Sequence, residues 1–178
     1  MSRATPLVIR RALPGEADAL TVLCRTAKRH WGYPTAWMDV WAVQLQITAQ
    51  DIAEQFIYVG EADATIVGFY GLRRDEFGWH LEHLWLKPAH MGCGFGRELF
   101  EAAVAMARRL GARELHIKAD PNAEPFYQKM GAVRRELEVY ELLGTRREVP
   151  RMVYAIPEAP RARPAGPAKG SGGGDGAT

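Results

Sequence analysis

The fold is decided by LEHLWLKPAHMGCGFGRELF, residues 81–100, in which an apolar strand runs through a proline and a glycine-rich loop into a helix. Gly92, Gly94 and Gly96 stand at alternate positions, so the backbone is bare where the helix begins. Amide N–H groups and the positive end of the helix dipole can there face an anion. The stretch therefore predicts a cradle for phosphate groups.

Two common phosphate-binding loops do not match this spacing. A Walker loop requires Lys followed by Ser or Thr after its last glycine, but Gly96 is followed by Arg97 and Glu98. A dinucleotide fingerprint requires G-x-G-x-x-G, and counting from Gly92 places Arg97 at the third glycine. A dinucleotide-binding regulator is therefore disfavoured.

Together with a second stretch, DPNAEPFYQKMGA at residues 120–132, the loop resembles the signatures of the GNAT acetyltransferase superfamily. The first signature is strand-Leu-x-Val-x-Pro-x-x-Arg/Gln-Gly-x-Gly-x-Gly-helix, with Met91 standing where the family usually has Arg or Gln. The second is an Asn, then Phe-Tyr on a short helix, then Gly. The matching positions are Leu84, Leu86, Pro88, Met91, Gly92, Gly94, Gly96, Asn122, Phe126, Tyr127, Gly131 and Ala132. The resemblance spans roughly residues 7–156.

The resemblance implies an α/β (mixed α+β) GNAT fold, a central mixed sheet with splayed middle strands and helices on both faces. It implies an enzyme that moves an acetyl group from acetyl-CoA, its cosubstrate, to an amine of a small molecule or a peptide. Backbone N–H groups of the central strand would pair with pantetheine and stabilise the oxyanion. The implied coenzyme-binding residues are Leu84, Trp85, Leu86, Met91, Gly92, Cys93, Gly94, Phe95, Gly96, Arg97 and Asn122.

The resemblance also implies two catalytic side chains. Glu82 would be the general base that takes a proton from the amine, because alkylamines are mostly protonated at neutral pH. The alternative for Glu82 is a strand-end carboxylate that pairs with an Arg. Tyr127 would donate a proton to the departing thiolate, or else serve as a packing aromatic. Asn122 would bind the pantetheine arm, or else act only as a helix N-cap.

The histidines and Cys93 have weaker claims to chemistry. In a regular strand His80 shares a face with Glu82, and His83 lies on the other face, although a bulge would change this. Cys93 is incidental, since the family uses direct attack. His90 and His116 are weaker candidates still. No cluster of His, Cys and acidic residues has metal-ligand spacing, so we predict no metal.

Acceptor specificity is expected in the first two helices and the closing strands. Trp31 and Tyr33, in an aromatic and polar segment, together with His80 are the candidate acceptor contacts, and a packed loop anchor is the alternative for the two aromatics. Trp37 and Trp41, one helical turn apart, are expected in the core. The basic segment 146–151 either reaches the same cleft or is a solvated turn.

Hydrophobic periodicity and turn residues predict the order β-α-α-β-β-β-α-β-α-β-β. The predicted strands cover residues 6–12, 56–59, 65–72, 78–86, 114–118, 133–143 and 152–156. A helix opens at residues 14–16, a second covers 37–45, and Thr48 begins a short one as N-cap. Behind the loop a helix ends at Gly111, and a short helix covers residues 122–130.

Composition fits one globular domain at residues 1–156 and a disordered Pro/Gly/Ala-rich tail at 157–178. The hydrophobic fraction is 47%, as in a globular protein. The formal charge of +2 is too small to indicate a surface that binds nucleic acid. No signal peptide or membrane-spanning run is apparent, and two distant cysteines indicate a reducing, cytoplasmic setting. A homodimer would follow family habit, and a non-catalytic acyl-CoA sensor is the rival function.

Overall fold

The computed structural model describes residues 5–158, and its centre is a seven-stranded mixed sheet. The strand order is β1-β2-β3-β4-β5-β7-β6, and only the β4–β5 pair is parallel. The strands are β1 Val8–Arg11, β2 Phe56–Ala62, β3 Thr65–Asp75, β4 Gly78–Leu86, β5 Glu114–Lys118, β6 Val133–Leu142 and β7 Thr145–Ala155.

Helices cover both faces of the sheet. The helices are α1 Ala17–Arg29, α2 Thr35–Val40, α3 Ala49–Glu54, α4 Phe95–Arg109 and α5 Glu124–Met130. The apolar side of α4, including Leu99 and Phe100, packs with Leu115 in one core cluster. The apolar side of α1, including Leu20, packs with Phe69 in another cluster across the sheet. This architecture confirms the predicted mixed fold with helices on both faces.

Several local predictions are confirmed where one residue decides the backbone. The Thr48 hydroxyl accepts a hydrogen bond from the Asp51 amide at 3.0 Å, and the Asp51 carboxylate accepts from the Thr48 amide at 2.8 Å. This reciprocal pair is a capping box that begins α3. Gly111, just after the end of α4, and Gly131, after α5, have φ of +85° and +102°, a conformation that glycine adopts without strain.

Several predicted boundaries are wrong. The hairpin turn lies at Asp63 and Ala64, whose φ values of +50° and +56° match a tight two-residue turn, so β2 is longer than predicted. Helix α2 ends at Val40 because residues 41–45 form turns instead. Helix α5 begins at Glu124, two residues later than predicted.

The largest of these errors concerns β7, which begins at Thr145 and not at residue 152. Its first half alternates exposed and buried positions, but the buried position nearest the start is Arg147, a charged residue. Hydropathy therefore hides the strand period there. The predicted domain boundary at residue 156 remains a prediction, and residues 159–178 of the proposed tail lie outside the described residues.

Candidate functional site

A cleft of about 980 Å³ opens where β4 and β5 separate. A single pair, His80 with His116, joins the two strands, and beyond it residues 81–86 of β4 have no partner on β5. The β4 backbone therefore presents a free edge to the cleft, as an inserted extended ligand requires. The lining comes from residues 81–86, the glycine loop, residues 118–123, α5, the hairpin β6–β7 and the region of α1 and α2.

The glycine loop forms one wall of the cleft. Gly92 and Gly94 have φ of +77° and +90°, and Gly94 is the N-cap of α4. These two glycines and Gly96 line the cleft beside Met91 and Arg97. A helix N-terminus that faces an open cleft is suited to anionic groups.

Two of the predicted loop residues do not present side chains to the cleft. Cys93 is exposed and is absent from the lining, with its thiol 3.7 Å from the Met91 carbonyl oxygen. The Phe95 side chain is buried with Ala62 and Val67 in a small core cluster. Only the backbone of Phe95 could therefore contribute to a cradle.

Glu82 sits in a β-bulge. Gly71 pairs with His83 and the next residue of β3 pairs with Leu81, so Glu82 has no partner on β3. Its side chain is 39% exposed, and one carboxylate oxygen accepts a hydrogen bond from Nε of Arg73 at 3.2 Å. Glu82 also lines the cleft. The structure thus contains both features weighed from the sequence, an Arg partner and a carboxylate at the opening.

The bulge changes which histidine accompanies Glu82. His83 lines the cleft, whereas His80 does not, so the face assignment expected for a regular strand is wrong. His80 instead bonds Asp75 at 2.9 Å and lies against the His116 ring, with ring centroids 5.3 Å apart. Burial lowers the pKa of the His83 imidazole, which the neighbouring Glu82 carboxylate offsets only partly.

Tyr127 lines the cleft from α5 and is otherwise enclosed, with 7% of its surface exposed. Its ring packs edge-on against Phe100 and Phe126. Burial, together with the Asp120 carboxylate, raises the pKa of the phenol well above its usual value. The hydroxyl is therefore protonated at any physiological pH.

Asn122 does not cap α5, whose N-cap is Ala123 without a side-chain bond, so the N-cap alternative is wrong. The Asn122 side-chain amide donates to the Tyr33 hydroxyl at 2.9 Å and to Asp120 at 3.0 Å, while its own backbone N–H donates to Asp120 at 2.9 Å. The loop after β5 is thus tied to the segment between α1 and α2.

Asp120 is the hub of this contact and also pairs with Lys28 of α1. The two side chains are only 10% and 12% exposed. Burial alone would raise the pKa of Asp120, but the Lys28 ammonium and the hydrogen bonds from Asn122 and Tyr33 lower it below its usual value. Burial lowers the pKa of Lys28, against the attraction of Asp120.

Arg147 of β7 lies beside this pair, in an aromatic box. Its guanidinium carbon is 4.8 Å from the centre of the Tyr33 ring and 4.9 Å from those of Trp37 and Trp41. Lys28 also lies over Tyr33 and Trp41, at 4.8 and 4.4 Å. Arg147 is 7% exposed, so the solvated-turn alternative is wrong for this residue, although Arg146 is exposed.

The sequence did not predict that these aromatic and charged side chains form one cluster. Trp41 is buried as expected, and Trp31 lines the cleft, but the aromatic rings already hold two cations of the chain itself. Lys28 and Asp120 lie 92 residues apart, and neither had been singled out. A lysine on the apolar side of α1 is the only sequence signal that could have drawn attention to it.

The chain is similar to known acetyltransferases in sequence pattern and in fold. A family model described as an acetyltransferase (GNAT) domain matches residues 34–142, more than half of the chain. No curated protein sequence matches. Among solved structures, a GCN5-related N-acetyltransferase from Rhodopseudomonas palustris has a TM-score of 0.72 at 22% identity, covering 88% of this chain and 99% of its own.

Two further solved structures contain a coenzyme. An N-acetyltransferase from Thermoplasma acidophilum, in complex with coenzyme A, has a TM-score of 0.67 at 18% identity and covers 84% of this chain and 99% of its own. A Salmonella typhimurium protein solved with its cofactor acetyl-CoA has a TM-score of 0.63 at 18% identity, covering 90% of this chain and 99% of its own. At such low identity these likenesses show the fold.

Residues 5–158 contain neither a membrane-spanning helix nor a group of metal ligands. No helix in this range is long and apolar enough to cross a bilayer. Within the same range, no three His, Cys, Asp or Glu side chains form a group that could hold a metal ion. The absence of a metal from the reaction stays a prediction from the sequence.

Proposed function

The chain belongs to the GNAT acetyltransferase family, and from this premise we propose that it transfers the acetyl group of acetyl-CoA to an amine by direct attack, with Glu82 as general base and Tyr127 as general acid. The observation that carries the proposal is that the glycine loop, the free edge of β4, Glu82 and Tyr127 all line one cleft. The relatives solved with coenzyme A and acetyl-CoA support the same cosubstrate here.

Coenzyme binding follows from the shape of the cleft. The pyrophosphate would lie against the N-terminus of α4 and the amides of Gly92, Gly94 and Gly96. Arg97 and Lys129, which also line the cleft, supply positive charge for the phosphates. The pantetheine arm, an extended chain with two amides, would pair with the free edge of β4 between residues 81 and 86.

The chemical step removes two protons from the ammonium nitrogen and supplies one to the sulfur. Glu82 takes the first proton from the ammonium, directly or through water, and the amine nitrogen then attacks the thioester carbonyl carbon. A C–N bond forms, and the backbone N–H groups of residues 84–86 stabilise the oxyanion. The C–S bond then breaks as the Tyr127 proton passes to the sulfur. Because the pKa of Tyr127 is raised, the proton leaves only as negative charge develops on that sulfur. The second nitrogen proton leaves to water as the amide forms, and water returns a proton to Tyr127.

The Arg73 partner of Glu82 is compatible with this role. Both side chains are more than one third exposed, so the ion pair is weak and easily exchanged. His83 lines the same cleft with a lowered pKa, and it is the histidine that could assist in place of Glu82. The pH dependence of the rate in Glu82 and His83 variants shows which of the two residues is the base, because the acidic limb is lost only when the base is replaced.

The test is a free-thiol release assay with acetyl-CoA against polyamines, aminoglycosides, amino acids and peptides, with mass spectrometry of the product. We expect acceptor-dependent release and a mass gain of one acetyl group. Removing a general acid or base typically costs about 10²- to 10⁴-fold in rate. Glu82→Gln and Tyr127→Phe should show such losses with unchanged coenzyme binding, and Glu82→Gln should lose the acidic limb of the pH profile.

Two variants outside the cleft serve as matched controls. Glu76→Gln changes an exposed carboxylate in the turn between β3 and β4, and Tyr154→Phe changes a tyrosine that packs on Phe100. Both should keep the wild-type rate. Coenzyme binding without turnover on any acceptor would refute the transfer and favour the acyl-CoA sensor.

A further inference from the structure

From the surroundings of Arg147 we infer that the acceptor carries an anionic group, a carboxylate or a group of like charge, that Arg147 and Lys28 bind in the part of the cleft lined by α1, α2 and the hairpin β6–β7. This inference rests on the proposed acetyl transfer for the amine end of the acceptor. It names the acceptor class as small amino acids and related zwitterionic amines.

The charge of Arg147 lacks a carboxylate partner in the free protein. Within residues 5–158 it forms no ion pair, and its side-chain partners are phenol groups: Nη2 lies 3.5 Å from the Tyr33 hydroxyl, and Tyr140 is a further contact. Its buried Nε has no hydrogen-bond partner. A buried cation without an anion loses hydration that aromatic faces replace only in part. The side chain lines the cleft, so a bound anion could complete its contacts.

The neighbouring charges favour an anion over a cation in this part of the cleft. The charge of Arg147 disfavours that of Lys28, and Asp120 supplies one negative charge beside the two. Two further carboxylates line the cleft from β6: Glu138 is engaged by Lys118 and Arg151, and Glu141 lies at an exposed position. Among residues 5–158 the ion pair with Asp120 is therefore the only one that Lys28 or Arg147 forms, which leaves two cations beside one paired anion.

The aromatic box also excludes the opposite arrangement. The rings of Tyr33, Trp37 and Trp41 would suit an ammonium ion, but Arg147 already lies over all three. An acceptor ammonium there would meet like charge. Glu82, which also lines the cleft, offers the opposite charge. A zwitterion can satisfy both ends, with its amine toward Glu82 and its carboxylate toward Arg147.

The experiment separates binding from turnover. N-acetyl amino acids, which have the form of the product, are titrated beside their uncharged N-acetyl amides in the presence of coenzyme A. Tryptophan fluorescence reports binding, because Trp37 and Trp41 flank Arg147. We expect the carboxylates to bind roughly tenfold to hundredfold more tightly than the amides, as charge-assisted contacts typically give.

Three variants test the role of Arg147. Arg147→Met should abolish the preference for carboxylates, and Arg147→Lys should keep part of it, since the charge remains without the planar fork. Two replacements are used in case one fails to fold, and thermal melting verifies each. Arg146→Gln, at a 71% exposed side chain one residue away, should keep the full preference. Equal binding of carboxylate and amide by the wild type, or a preference that survives in Arg147→Met, overturns the inference.

The corresponding free acceptors distinguish failure of the inference from failure of the proposed function. Thiol release is measured with matched sets of amino acid, amino-acid amide and decarboxylated amine. Equal acetylation across each set would uphold the transfer and overturn the anion subsite. A carboxylate preference that depends on Arg147, without thiol release from any acceptor, would uphold the subsite and overturn the transfer.

Discussion

The strongest test of the Lys28–Asp120 ion pair is the substitution Asp120→Asn. The amide has the shape of the carboxylate, and its oxygen at the position of Oδ1 can still accept hydrogen bonds from Tyr33 and Asn122. It removes the negative charge and replaces Oδ2, which accepts from Lys28, by an NH2 group that cannot accept. Since both members of the pair are about nine-tenths buried, the substitution leaves a buried ammonium beside Arg147 with no anion.

The expected loss of stability is large for a change of one charge. Breaking a buried ion pair by removing one partner costs about 3–5 kcal/mol, and we expect about 3 kcal/mol because the hydrogen bonds from Tyr33 and Asn122 survive. In a protein of this length, such a loss lowers the Tm by roughly 6–12 °C. Urea unfolding and thermal melting at pH 7 measure the two quantities.

The pH dependence follows from the lowered pKa of Asp120. A carboxyl group whose pKa is lower in the folded than in the unfolded state stabilises the protein fully above its unfolded value, near pH 4, and less as the pH falls through the folded value. The difference between wild type and Asp120→Asn should therefore be constant from pH 7 to about pH 5. It should shrink below about pH 4, because wild-type Asp120 then becomes neutral as well.

A double-mutant cycle assigns the effect to the pair. Lys28→Met combined with Asp120→Asn should destabilise less than the sum of the two single variants, because no unpaired charge remains. The matched control is Glu148→Gln, in the exposed pair with Arg146, which should change the stability by less than about 1 kcal/mol. A loss under 1 kcal/mol in Asp120→Asn, or a deficit that persists unchanged to pH 3, would refute the reasoning.

The substitution Gly92→Ala tests the glycine loop, and Gly111→Ala, beyond the end of α4, is its control. Gly92→Ala and Gly111→Ala both place a Cβ in open space at positive φ, with φ of +77° and +85°, so each should cost about 1–2 kcal/mol of stability in urea unfolding. Only Gly92→Ala should weaken binding of coenzyme A in calorimetry, and equal affinities in the two variants would contradict the cradle. Cys93→Ser should leave thiol release unchanged, because the exposed thiol lies outside the lining and direct attack needs no acyl-enzyme. A burst of covalent acetyl-protein that disappears in Cys93→Ser would overturn this expectation.

Local features of the sequence determined the glycine loop, α4 and the start of α3. Alternate glycines demand a bare backbone, the 3.6-residue period of α4 demands a buried stripe, and Thr48 with Asp51 forms a cap within four residues. Each signal is carried by neighbours in the chain, so propensity and pattern suffice to recognise it. Strand β4 was accordingly predicted to its end residues, from Gly78 to Leu86.

The surroundings of Glu82, Arg147 and Lys28 were decided by the tertiary structure alone. Glu82 faces the cleft because the register between β3 and β4 shifts by one residue, and no local pattern encodes that shift. Arg147 is buried because α1, α2 and the hairpin β6–β7 meet around it, although its own segment is basic and hydropathy places it in solvent. Lys28 finds Asp120 across 92 residues of chain. Charge selects a partner by distance in space, and only the folded chain defines that distance.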